Sequence, residues 1–321
     1  MKKLIFTNNL VIKEILFATA CIFAILVYNP LSVHAADSDT VVALGADLSD
    51  SQRATVLSLM ELTEADLKNC TVIYTTNAEE HQYLDSYIDP SIIGRRALTS
   101  VKMTKAAPGS GITVTTQNVN YCTTGMYRNA LLTAGVEDRN VLIVSPFPTS
   151  GTAGLIGAVR AYEASSGSKV DDKALDGALN EIVTTGEISE QLEGVSNEDV
   201  EALVAWLKSM IATGKLDTSD ENSIRGTIKE GEDKFGVKLS DSEKDQIVSL
   251  LKKLDALGLN GTYLIDQAQN LYQKYGSDIV NQAQTVIDDA VKDAAGQAAR
   301  SFFTSVKDSF TGFFTKLFNK N

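Results

Sequence analysis

The chain has 321 residues, 44% of them hydrophobic and 22% charged, which is enough apolar material for a buried core and too much for a wholly disordered polypeptide. Its 29 Lys and Arg stand against 41 Asp and Glu, a net charge of -12, which argues against a general nucleic-acid binder because phosphate contacts need clustered cations. No segment spells out a reaction. The residues speak to compartment, architecture and candidate surfaces.

Lys2, Lys3 and Lys13 precede an apolar run from Ile15 to Val27, and Val33-His34-Ala35 then offers the small and apolar side chains that a signal peptidase accepts. The run is shorter than the roughly 20 residues of a bilayer span. Residues 1–35 are therefore expected to be a cleaved secretory signal, and the protein is placed outside the cell or on the extracellular face of its envelope. Cleavage removes three lysines, Glu14 and His34, so the net charge becomes -14 and the mature chain keeps His81 as its single histidine, with two cysteines, Cys70 and Cys122.

From residue 36 to 166 strand and helix signals alternate. Val41 to Leu44 predicts a strand, and Ser49 or Asp50 then caps a helix with Val56, Leu59 and Met60 on one face. Thr71 to Thr75 predicts a second strand, followed by a helix from Asn77 to about Ile88 that Pro90 stops. Leu98–Lys105 and Ile112–Val119 predict two strands joined as an antiparallel hairpin through the turn-rich residues 106–111. A helix from Thr124 to Ala134, the apolar strand Val141–Val144 and a glycine-rich helix from Gly151 to Ala164 complete an α/β layer with an antiparallel insertion.

Ser165-Ser166-Gly167-Ser168 has linker composition, and helical spacing follows it. Val200, Leu203, Val204, Leu207 and Ile211 form one stripe after Ser196; Ile247, Leu250, Leu251, Leu254 and Leu257 form another after Ser240. Residues 167–261 are expected to be an all-helical region. Residues 262–321 continue as an amphipathic arm, ending in Phe302, Phe303, Phe310, Phe313, Phe314 and Phe318 on one helical face. The fold class is thus α/β in its first part, α+β taken as a whole.

Six blocks in order carry a resemblance to a known family: Leu44 to Ser49, Thr76 to His81, Ile93-Gly94 with Arg96 to Leu98, Gly109 to Ile112, Met126-Tyr127 with Asn129 to Leu131, and Pro146-Phe147 with Ser150 to Ala153. Over about residues 41–260 the chain resembles the YpuA-like secreted proteins of Firmicutes, a domain of unknown function (DUF1002). The resemblance implies secretion and a shared α/β-plus-helical design, and it supplies no catalytic residue.

Cys70 lies at the start of one predicted strand and Cys122 just past another, in a compartment where thiols oxidise, so a disulfide is expected, with two buried free thiols as the other reading. Such a bridge would stabilise the chain by about 4 kcal/mol. His81 is the single candidate for an imidazole base, yet it sits in the first turns of a helix where Asn77 caps and Glu79 and Glu80 complement the dipole. A G-x-S-x-G elbow, a calcium loop and a P-loop lysine are all missing from the sequence, and Cys and His are too few for a zinc site, so no metal and no cofactor is expected.

Ser150-Gly151-Thr152 follows an apolar strand and opens a helix, which aims unpaired N–H groups and hydroxyls at one spot; it is the candidate anion or ligand loop. Gly151, Gly154 and Gly157 equally allow that helix to lie close on the sheet. The stretch from Gln297 carries Arg300, Lys307, Lys316 and Lys320 against Asp308, and its basic heads beside an aromatic face suit an anionic bilayer surface or a protein partner, with packing on the protein's own helices or on a second copy as the other reading. The leading reading is a secreted, non-enzymatic binding protein of the cell envelope. The competing one is a hydrolase of an envelope component, working through the Ser150–Thr152 loop with Glu79, Glu80 and Asp47 as the carboxylates to test.

Overall fold

The computed structural model describes residues 39–258, apart from 109, 193 and 213. The signal segment, the C-terminal arm and its phenylalanines lie outside the described residues. The protein is mixed α and β: among the described residues five strands, β1 (Thr40–Gly45), β2 (Thr71–Thr75), β3 (Ser100–Lys105), β4 (Ile112–Val119) and β5 (Arg139–Thr149), form one sheet in the order β2-β1-β3-β5-β4. Strand β1 (Thr40–Gly45) is buried on both faces, as its unbroken apolar run demands, and pairs in parallel with β2 (Thr71–Thr75). On its other side β1 runs antiparallel to β3 (Ser100–Lys105), with Val41 opposite Met103.

The expected hairpin between β3 and β4 (Ile112–Val119) does not form. Strand β5 (Arg139–Thr149) lies between them, antiparallel to β3 and parallel to β4. Burial decides this order. Val141, Leu142, Ile143 and Val144 are apolar on both faces and fit the interior of a sheet, whereas β4 alternates buried Ile112 and Val114 with exposed Thr113 and Thr115 and is suited to an edge. The turn residues encode the reversal of direction but cannot encode which strand fills the gap.

Helix starts follow local chemistry. The Ser49 hydroxyl accepts from the Gln52 N–H and the Gln52 side chain accepts from the Ser49 N–H, a capping box that opens α1 (Asp50–Leu59). The next helix, α2 (Asn77–Leu84), is capped by Thr76 and not by Asn77, with Glu79 closing the box. It is shorter than expected. Pro90 does not merely end a helix: it occupies the first turn of the short α3 (Pro90–Ile93), where its missing N–H costs nothing.

Helix α1 covers one face of the sheet, with Val56, Leu57 and Met60 against Val42, Leu44 and Val144. The other face carries α4 (Thr124–Thr133) and α5 (Thr152–Ser166) against Val41, Ala43, Val101, Met103 and Ile143. Helix α6 (Asp172–Gln191) adds Ala178, Leu179, Ile182 and Val183 to that same core, then gives Ile188 to a second core. The second core is built from α7 (Asn197–Ala212), α8 (Glu221–Phe235) and α9 (Asp241–Asp255). Ser196 and Ser240 sit where the sequence places them, each hydroxyl accepting from the N–H three residues on. Among the described residues no helix is long and apolar enough to cross a membrane.

A buried charge pair joins the two cores. Lys208 on α7 is fully buried and spends its three N–H donors on Glu181 Oε1 (2.5 Å), Thr133 Oγ1 (2.8 Å) and the Asn129 carbonyl (3.0 Å). Thr133 in turn donates to Glu181 Oε2 at 2.5 Å. Burial pulls the lysine down to about 8, while Glu181 holds it up.

The expected Cys70–Cys122 disulfide is not formed; both thiols are free. Cys70 precedes β2 at one edge and packs toward the α1 face, while Cys122 follows β4 at the other edge and is buried on the α4 and α5 side. Five strands at about 4.8 Å spacing separate them by far more than the ~7 Å Cα limit of a bridge. Thiol titration of the protein, denatured without reductant, should find both cysteines reactive; a pair that reacts only after reduction would contradict this arrangement.

Candidate functional site

The parallel strands β1, β2, β4 and β5 end on one side of the sheet, where loops can gather side chains from distant parts of the sequence. A crevice of about 240 Å³ opens there, between α2, the α3–β3 loop, the end of β5 and the start of α5. Glu80 and Thr152 line its floor; Ser150, Thr149 and Thr99 add hydroxyls, and Arg95, Arg96 and Phe147 stand around it. A larger hollow of about 450 Å³ lies beside Leu257 and Gly258, the last described residue, and no buried charged side chain lines it.

The loop Ser150-Gly151-Thr152 is shaped by its glycine. Gly151 caps α5 at φ 91° with no side-chain hydrogen bond, and its carbonyl accepts from the fully buried Tyr127 hydroxyl. A Cβ on Gly154 would come within 2.8 Å of Ile143 and one on Gly157 within 3.3 Å of Val101, so both glycines let α5 settle on the sheet. That close seat leaves Ser150 and Thr152 turned to the crevice, with their hydroxyls 3.4 Å apart.

Glu80 is 1% exposed, accepts from Thr152 Oγ1 at 2.8 Å and from Asn77 Nδ2 at 3.4 Å, and meets no ion-pair partner among the described residues. Burial raises its carboxyl from the ordinary carboxylate range to about 7, against the opposing pull of Thr152, Asn77 and His81; Asp47 adds to the rise. The other two candidate carboxylates are occupied elsewhere. Glu79 closes the α2 capping box and pairs with Arg160, and Asp47 accepts the Ala97 N–H at 2.8 Å.

A titration consequence follows from Glu80. The unfolded chain releases this proton near pH 4.3 and the fold near 7, so stability falls as pH rises between those values and stays lowered above them. At about pH 4 Glu80→Gln should change unfolding only by the Asn77 bond it loses, a decrease of about 1 kcal/mol or less. At about pH 8 it should raise the unfolding free energy by about 2–3 kcal/mol, at about 1.4 kcal/mol for each tenfold difference in proton affinity, less the Asn77 bond it loses. Urea unfolding at both pH values reads the difference; an equal effect at both would contradict a titrating Glu80.

His81 is held by two acceptors, Asp85 Oδ1 at 2.6 Å from Nδ1 and the Gly94 carbonyl at 3.0 Å from Nε2. Both ring nitrogens must donate, which requires the imidazolium, and the Asp85 and Gly94 contacts raise its pKa accordingly. The ring therefore fastens the start of the Gly94-Arg95-Arg96 segment and has no lone pair to offer as a base. Arg95 and Arg96 are exposed and pair with no carboxylate among the described residues. Phe147, 41% exposed, stands at the same opening.

Of the expected site residues, the structure thus gathers Ser150, Thr152 and Glu80 in one place and sends Glu79, Asp47 and His81 to structural work. Arg95 and Phe147 carry no motif of their own. Their placement depends on the turn at Gly94 (φ 79°) and on β5 continuing through Pro146 and Pro148 to Thr149. Among the described residues no group of three or more His, Cys, Asp or Glu is placed to hold a metal ion.

Sheet, helices and crevice define an α+β protein with a small polar cavity at the carboxyl ends of its parallel strands. The chain belongs to the family described as Protein of unknown function (DUF1002), whose model matches residues 44–271. It is similar to the Uncharacterized protein YpuA of Bacillus subtilis (strain 168), with 36% identity over 255 residues, covering 79% of this chain and 85% of that protein. No solved structure matches it.

Proposed function

We propose that this is an exported protein of the cell envelope that works by binding, with the Ser150 crevice as a small-ligand site and the phenylalanine-rich C-terminal stretch as a separate contact to a membrane surface or protein partner. The signal pattern of residues 1–35 supports export, and the basic, aromatic residues 297–321 support the second contact. The observation that carries the ligand site is a buried carboxylate without an ion-pair partner among the described residues, Glu80, opening onto a cavity beside two arginines without carboxylate partners. Acid–base hydrolysis asks for a second working carboxylate or a free imidazole, and Asp47, Glu79 and His81 are committed to other partners.

Thermal shift of the mature protein against small-molecule fractions of culture medium and cell-wall digest tests the site. A fraction that raises the melting temperature of the wild type but not of Arg95→Glu/Arg96→Glu, and that is recovered chemically unchanged, is the expected result. If no fraction separates the two proteins, the ligand site falls. The hydrolase reading keeps one favourable contact, the Thr152 hydroxyl donating to Glu80; conversion of the fraction by wild type, lost in Glu80→Gln, would replace binding with catalysis. Co-sedimentation with anionic vesicles, equal with and without residues 297–321, would remove the membrane contact.

A further inference from the structure

The crevice holds uncompensated charge of both signs at two depths. On its floor the Glu80 carboxylate receives only neutral donors, Thr152 and Asn77, and the nearby cation His81 is turned to Asp85 and Gly94. Around the opening stand Arg95 and Arg96, exposed and paired with no carboxylate among the described residues. Ile92 and the exposed Phe147 ring supply apolar surface in the same lining.

A simple anion would suit the arginines and be repelled by an ionised Glu80; a simple cation would meet the reverse. A molecule bearing both an ammonium and a carboxylate satisfies each with its opposite. The volume of about 240 Å³ lies below that of drug-sized pockets and sets the scale at a few to a dozen or so heavy atoms. Resting on the crevice reading above, we propose that the site binds a zwitterion of amino-acid or dipeptide size, its ammonium at Glu80 and Thr152, its carboxylate at Arg95 and Arg96, and its side chain along Phe147 and Ile92.

The sign of the pH dependence separates this ligand from a plain anion. Glu80 is faced by Asn77 and His81 of its own helix, Asp47 of the β1–α1 loop, Thr152 of α5, and Tyr127 with Cys122 at α4, while Arg95 and Arg96 share its crevice. The Asp85 and Gly94 acceptors favour protonated His81, and burial keeps Tyr127 and Cys122 neutral near pH 7. A ligand ammonium favours ionised Glu80, so its binding releases a proton and tightens from about pH 6 to about pH 8. An anion favours protonated Glu80, and its binding weakens over the same range.

Isothermal titration of the mature protein with free amino acids, alanyl-alanine, N-acetyl-alanyl-alanine, alanyl-alanine amide and inorganic phosphate tests this. At least one unblocked amino acid or dipeptide should bind and tighten as pH rises. Blocking either end should weaken it about tenfold or more, as should Glu80→Gln or Arg95→Glu/Arg96→Glu. Near-ultraviolet circular dichroism matching wild type shows that a variant is folded, and the acetylated dipeptide, a plain anion, should bind Glu80→Gln at least as well as it binds wild type. Phosphate or the acetylated dipeptide binding as tightly as the free one would overturn the zwitterion and leave an anion crevice. Silence of every probe at millimolar concentration would also overturn it, while a thermal-shift ligand found independently would leave the crevice reading standing.

Discussion

Replacing Lys208 by methionine should cost the fold about 3–5 kcal/mol at neutral pH, because it leaves Glu181 without its cation where both side chains are at most 1% exposed. The loss exceeds a lost hydrogen bond because three acceptors, Glu181, Thr133 and the Asn129 carbonyl, are stranded together. The double variant Lys208→Met/Glu181→Leu removes both charges and should recover most of that loss. Trp206, the single tryptophan, lies two residues away in α7, buried against Phe235, and gives urea unfolding a local signal. If the single and double variants were equally unstable, the pair would not be the joint between the cores. Asn129 and Thr133 come from α4, Glu181 from α6 and Lys208 from α7, so the variant should weaken the seating of α6 and α7 on the sheet-bearing core before it melts either core from within.

Gly151→Ala should be comparably damaging, at about 3–5 kcal/mol, for a different reason. The position lies at φ 91°, which a Cβ disfavours, and that carbon would stand 2.4 Å from both the Tyr127 hydroxyl and Val119 Cγ1. Tyr127 is fully buried and cannot withdraw. Tyr127→Phe removes one of the two obstacles, so Gly151→Ala should cost less in that background than in the wild type. Equal costs in the two backgrounds would show that the backbone conformation and Val119, and not the Tyr127 hydroxyl, set the requirement. Either way, the proposed ligand binding should suffer with stability, since the same turn sets Ser150 and Thr152 at the crevice.

The sequence alone determined whatever depends on neighbours along the chain. Ser49 with Gln52 and Ser240 with Glu243 close caps across three residues, and the stripes Val200 to Ile211 and Ile247 to Leu254 face the second core as their spacing requires. The mixed class and the family were equally legible, because strand and helix periods differ and the six blocks stand in order. Ser150 and Thr152 were visible from a strand-to-helix junction, and Glu80 as a carboxylate near a strand end.

Tertiary structure decided what depends on competition between distant segments. Placing β5 between β3 and β4 was settled by which strand is apolar on both faces, and that order put Cys70 and Cys122 on opposite edges and faces. Lys208 lies beside an apolar stripe and looks like a solvated interruption until Glu181 and Thr133 converge on it from other helices. Arg95, Arg96 and Phe147 join Glu80 only because strands from separate parts of the chain end on the same side of the sheet. Local hydrogen bonds and periodicity act over a few residues and can be read in one dimension. Strand order and buried charge are settled by burial in three dimensions, where each element's place depends on what the others leave open.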